Sequence, residues 1–204
     1  MIRNAAAKEF LEKGYHGTTL AAIAARAGVA VQTVYFVFHT KAELLSAVVD
    51  AAVVGPEAIA PEDADWFRHL AEQSDAAQVL RAFIEGGAPI FERAAGVFEV
   101  ANGAARSDTE VKVIAAHHEH LRVEGCRRVV NVVEAKSPLR NKLTTQRATD
   151  ILATVVSPQL YLTLAEDHGW SHDEVVGWWL ATVPGLLLPN SVDPADERTH
   201  DRIE

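Results

Sequence analysis

Apolar positions recur along this chain at helical rather than strand spacing. Ile2, Ala6 and Phe10 fall at i, i+4 and i+8, and Gly14 supplies a stop. Thr19 can cap a second helix whose Leu20, Ile23, Ala24 and Ala27 share one apolar face, and Gly28 ends it. A third short helix is predicted over residues 31–38. Thr40 and Glu43 then have the spacing of a capping box, opening a helix that carries Leu44, Leu45 and Val48 and stops near Gly55 and Pro56. Alternation of period two, bounded by turn residues, does not recur, so the chain reads as all-α.

Residues 55–65 bear prolines and acids and read as a domain-flanking loop. Beyond them the pattern predicts a short amphipathic helix over 66–73 and another opened by Ser74 or Asp75. A further helix would place Pro89 in its first turn and run to about residue 105. A long helix follows from about 108 to 136. After a polar loop come two helices apolar on more than one side, over 146–167 and 171–188. The tail from Pro189 has few apolar residues and reads as frayed. The expected division is a three-helix domain plus connecting helix over 1–53, and a larger helical domain over 54–204.

Composition narrows what such a chain can do. Hydrophobic residues make up 49% of its 204 residues, enough for a packed core. The single cysteine, Cys126, excludes an internal disulfide framework and suits a reducing cytoplasm. Neither a bilayer-spanning apolar run nor a secretory signal is evident, so a cytoplasmic protein without membrane contact is expected. The formal charge of −9 argues against a non-specific nucleic-acid binder. Residues 1–50, however, carry five Lys or Arg against four acids, which leaves −10 for the rest. Only the near-neutral N-terminal end could approach phosphate without a large penalty.

The informative stretch is TTLAAIAARAGVAVQTVYFVFHTKAELL, residues 18–45. Two short helices joined by a glycine-containing turn make a helix-turn-helix. Ala24 and Ala27 are small where the helices cross, Gly28 permits a left-handed turn, and Val29 plugs the space between them. The third helix would turn Val31, Gln32, Thr33 and Val37 outward and Val34 and Phe38 inward. Its N-terminal residues would lie nearest the base edges of a major groove.

Residues 2–48 resemble the N-terminal domain of the TetR (tetracycline-repressor-like) family. The resemblance rests on Ala5-Ala6, Phe10, Gly14-Tyr15, Thr19, Ile23-Ala24, Ala27-Gly28-Val29, Thr33, Tyr35, Phe38, Lys41 and Leu44-Leu45 in fixed register. Residues 148–188 also resemble the last two helices of a common subgroup. The resemblance implies phosphate contacts from Thr19, Thr33, Tyr35 and Lys41, and base reading by Gln32 with Thr33, Val31 being available for thymine methyls. Lys41 stands at a capped helix N-terminus, where a cation is unfavourable unless an anion lies nearby. Val37 departs from the His or Tyr usual at its position, and His39 beside it is the expected substitute. Family members usually carry several, often basic, residues ahead of the first helix, where this sequence has Met1; modest non-specific affinity is therefore expected.

The remaining candidates fall in the second domain. His117, His118 and His120 flank Glu119, but no metal-binding motif accompanies them, and polar or pocket-lining roles are the better reading. Cys126 reads as a small core residue. Among the aromatics, Phe83, Phe91, Phe98 and Tyr161, with His117, are the candidate lining of an effector pocket. Trp178 and Trp179 point to different faces, one toward the domain and one toward a partner subunit. GxSxG, Walker glycines and paired catalytic carboxylates are all missing, so no enzyme activity, metal or cofactor is expected.

The expected protein is thus a homodimeric transcriptional regulator, a repressor that a small-molecule effector releases from a near-palindromic double-stranded DNA operator. The last two helices would form a four-helix bundle with their mates. The alternative is a helical small-molecule-binding dimer that has lost specific DNA recognition.

Overall fold

The computed structural model describes residues 1–189, so the tail read as frayed lies outside the described residues beyond Pro189. Within them every regular element is helical. Helix α1 (Ile2–Gly17) buries Ala5, Ala6 and Phe10, and Gly14 leaves helical geometry at φ 68. Glycine reaches that left-handed value without a Cβ clash, and Tyr15 then turns back beneath Phe10, with ring centroids 6.0 Å apart. In α2 (Leu20–Ala27) the Thr19 hydroxyl accepts the Ala22 amide, and Gly28 caps the end at φ 68, ψ 33. The next helix, α3 (Val31–Phe38), meets α2 at 112°, within the helix-turn-helix range.

Helix α4 (Lys41–Val54) opens with Thr40 accepting the Glu43 amide. The Thr40 hydroxyl donates to the Glu110 carboxylate. A full reciprocal capping box forms elsewhere, at Ser171 and Glu174. Phe10, Ile23, Val34, Leu44 and Leu45 are sealed from solvent in the core of the N-terminal head.

Past α5 (Asp65–Arg68), one helix, α6 (Ala76–Ala104), continues through Pro89. This corrects the expectation that Pro89 would open a new helix. An interior proline loses a backbone bond and costs about 3 kcal/mol. The packing of α6 on α1, α4, α7 and the C-terminal helices offsets that cost. Helix α7 (Thr109–Lys136) is capped by Asp108, whose carboxylate accepts the Glu110 and Val111 amides.

The segment expected as one helix over 146–167 is broken. It comprises α8 (Thr145–Val155), α9 (Pro158–Leu162) and a π-turn at Thr163–Asp167. Ser157 caps α9 and Pro158 takes its first position, which ends α8. The carbonyls freed at the break are taken up by side chains: Arg122 Nη1 donates to Ala153 and Val156, and Trp179 Nε1 donates to Val155 at 2.8 Å. The helix expected over 66–73 likewise splits into α5 and a 3₁₀ turn at Leu70–Glu72. Finally α10 (His172–Leu187) buries Val175, Trp179, Val183 and Leu187.

Two apolar clusters result, and α6 belongs to both. Its first half gives Val79, Leu80 and Ile84 to a core completed by Val129, Val133, Leu152 and Trp179. Its second half gives Ala94, Val97, Ala101 and Ala104 to the core of the head.

Candidate DNA-reading head and effector cavity

Helix α3 turns Val34 into the head and leaves Gln32, Thr33, Tyr35, Phe36 and Val37 exposed, with Val31 and Phe38 half-buried. Thr19, at the start of α2, is also exposed. Its oxygen is occupied by the Ala22 amide at 3.1 Å, so the hydroxyl proton is free for an outside acceptor such as phosphate. His39 caps α3 at φ 54, its backbone N–H bonded to the Tyr35 carbonyl and its ring exposed. Sequence reasoning does not single out Phe36. The signal that could have found it is its place one turn beyond Gln32 on a helix with no charged residue.

Lys41 is placed differently from its expected role. Its Nζ donates to the carbonyls of Tyr15 at 2.8 Å and Thr18 at 3.0 Å, and lies 4.1 Å from the centre of the Tyr15 ring. The negative partner that its position demands is the carbonyl end of α1, not a waiting anion. Burial lowers its pKa, partly opposed by Asp108. Arg26 is engaged too, bridging to Glu9 at 2.7 Å and to Glu12. Glu9 is itself buried and also accepts Lys13 at 2.7 Å, and these cations hold its carboxyl below the usual range.

The head is docked on the rest of the chain at its lower edge. His16 bonds Ser107 at 2.9 Å and Thr40 donates to Glu110 at 2.7 Å. At the upper edge Arg93 of α6 donates to the Ala52 and Val53 carbonyls at the end of α4.

A cavity of about 280 Å³ lies between α4, α5, α6 and α7. Phe83, Phe91 and Phe98, eight and seven residues apart on α6, line it together with Trp66 and Phe67. Two expectations are corrected. His117 is exposed, and it is His118 that turns inward to the cavity wall. Tyr161 stands one layer behind, against Phe91 and Trp179, with its hydroxyl 3.1 Å from His172 Nδ1. The polar part of the wall comes mainly from α7 (His118, Arg122, Glu124) and from Asp50 of α4. Arg122 is engaged by the Glu119 carboxylate and the Ala153 and Val156 carbonyls. Burial pushes the Cys126 thiol up to about 11, so it sits in the wall as a neutral side chain.

His118 connects this cavity to the head. Its Nε2 is 3.2 Å from Ser46 Oγ, its Nδ1 is 3.8 Å from Asp50, and Phe98 meets it edge-on at 6.2 Å. Burial lowers its pKa, opposed by Asp50 and reinforced by His117, which favours the neutral ring. Both partners lie on α4, the helix that carries the head.

Residues 2–48 match the sequence profile of the tetR family of bacterial regulatory proteins. No curated protein sequence matches the chain. Among solved structures, the TetR family transcriptional regulator PfmR from Thermus thermophilus gives a TM-score of 0.63 at 22% identity, covering 89% of this chain and 96% of that one. The transcriptional regulator FadR from Bacillus subtilis, in complex with stearoyl-CoA, gives 0.69 at 18% identity, covering 91% and 97%. At these identities the likeness establishes the fold, an all-α head and helical body.

Proposed function

We propose, from the match of residues 2–48 to the tetR family of bacterial regulatory proteins, that this chain is a cytoplasmic homodimeric repressor which a small apolar effector releases from a near-palindromic operator. Residues 1–53 act as the reading head and 54–204 as the sensing and dimerising body. Thr19, Thr33 and Tyr35 hold phosphates and Gln32 reads bases, with Val31 and His39 at the edges of the contact. Lys41 acts by locking α4 against α1, which sets the height of α3.

The observation that carries this reading is the cavity wall that includes His118, bonded to Ser46 and facing Asp50 on α4. An occupant that displaces this ring moves the helix bearing the head. The lining, five aromatic rings with a few polar groups, suits an apolar molecule with one polar end. FadR, solved with stearoyl-CoA, shares the fold. An effector acts only if it binds the released spacing of the heads more tightly than the DNA-bound one.

The test uses the full chain, a duplex that it selects from a random pool, and 1-anilinonaphthalene-8-sulfonate as cavity probe. The probe should fluoresce on binding and lower duplex affinity, and Gly87→Leu, which fills the cavity, should blunt both effects. A probe that fills the cavity and leaves duplex affinity unchanged would sink the release mechanism.

A further inference from the structure

We propose that this regulator reads A·T pairs at the centre of each half-site, with Phe36 seeking thymine methyl groups beside Gln32. The inference rests on the DNA-binding reading and adds the chemistry of the bases. Phe36 is 83% exposed, against 53% for Tyr35 and 50% for Val37. Three consecutive exposed apolar side chains on a short helix form a patch of the kind that marks a contact surface. The buried flank of α3 is formed by Val31, Val34 and Phe38. At 100° per residue, the opposite face centres on Phe36, with Gln32 directly before it and Thr33 beside it. The ring therefore occupies the middle of the surface that a helix-turn-helix presents to the major groove.

The chemistry of that surface is selective. Guanine is read chiefly by Arg or Lys on its O6 and N7, and cytosine by Asp or Glu on its amino group. The sequence of α3, VQTVYFVF, contains none of these. Two neighbouring cations are already committed, Arg26 to Glu9 and Glu12, and Lys41 to the Tyr15 and Thr18 carbonyls. What α3 offers is one amide, matched to adenine N6 and N7, and a methyl-seeking apolar set of Phe36, Val37, Val31 and the Thr33 methyl. Those are the groups that distinguish A·T from G·C in the major groove.

Binding-site selection from a random duplex pool with the full chain should return half-sites whose centres are A·T. Replacing their thymines by deoxyuridine removes only the 5-methyl group, and should weaken the wild-type protein by roughly three- to tenfold. Phe36→Ala, at an exposed position, should keep the helical circular dichroism of the wild type and lose most of its discrimination between thymine and deoxyuridine duplexes. Gln32→Ala should lose the preference for adenine while remaining sensitive to the methyl group. Selection of G·C-centred sites, or equal deoxyuridine sensitivity in wild type and Phe36→Ala, overturns the proposal while leaving DNA binding intact. A Phe36→Ala that changes oligomeric state without changing the selected sequence overturns it in favour of a protein contact. If the wild type enriches no sequence at all, the DNA-binding reading itself fails.

Discussion

Adjacent residues in this chain carry opposite constraints, and Gly86 and Gly87 show it most clearly. A Cβ at Gly86 would come within 2.4 Å of the Trp66 ring, whereas one at Gly87 would meet that ring at 4.0 Å, an ordinary contact. Gly86→Ala should therefore displace Trp66 and destabilise by about 1–3 kcal/mol. Gly87→Ala should instead stabilise by about 0.5–1 kcal/mol through helix propensity. Thermal unfolding of the two variants should shift in opposite directions. Lys41 makes a second case. Lys41→Met keeps the stem over Tyr15 but removes two bonds to carbonyls, and should cost about 1–2 kcal/mol, read as a melting temperature roughly 2–8 °C lower. An unchanged melting point with weakened DNA binding would return Lys41 to the direct phosphate role.

The helices of the head are held by charge as well as packing, and that makes them sensitive to acid. Glu9 is bound to Lys13 and Arg26, and its folded pKa is depressed. Its contribution is fully present above the unfolded value of about 4.3 and is lost as pH falls through the folded value. Wild-type stability should thus fall more steeply below about pH 4.3 than that of Glu9→Gln, and parallel acid-unfolding curves would show that the network contributes nothing. The starts of α2 and α4 and the ends of α2 and α4 were legible in the sequence because residues with one structural meaning stand there: Thr19 and Thr40 cap, and Gly28 and Gly55 adopt positive φ, while Gly14 marks the break inside α1. Proline is harder to read because it has two meanings. Pro89 lies inside a helix that continues past it, and Pro158 begins one where none was expected. The phenylalanines Phe83, Phe91 and Phe98 stand out in the sequence as candidate lining by residue type, but their common face does not, because Pro89 reads as separating Phe83 from the other two. His118 was not legible, because α7 packs against both α6 and α8 and so has no single apolar face to set its phase.

For the whole molecule, charge placement bears on how it holds DNA. Of the five basic residues in the head region, Lys13 and Arg26 are paired with acids and Lys41 is bound to carbonyls, while Arg3 and Lys8 are exposed. Two cations per head predict a salt slope of only about −2 for each half-site. A filter-binding titration giving a slope near about −8 for the dimer would mean that other cations reach the phosphates. Most of the affinity is then expected from neutral hydroxyls and base contacts. The sharing of α6 by both apolar clusters has a consequence for recombining such proteins. Residues 1–53 lack the Ala94, Val97, Ala101, Ala104 and Val111 surface that closes their own core. A chimera joined at the end of α4 would set a foreign helix against that core. A functional exchange of reading specificity must either carry residues 94–111 along with the head or confine itself to the exposed positions of α3.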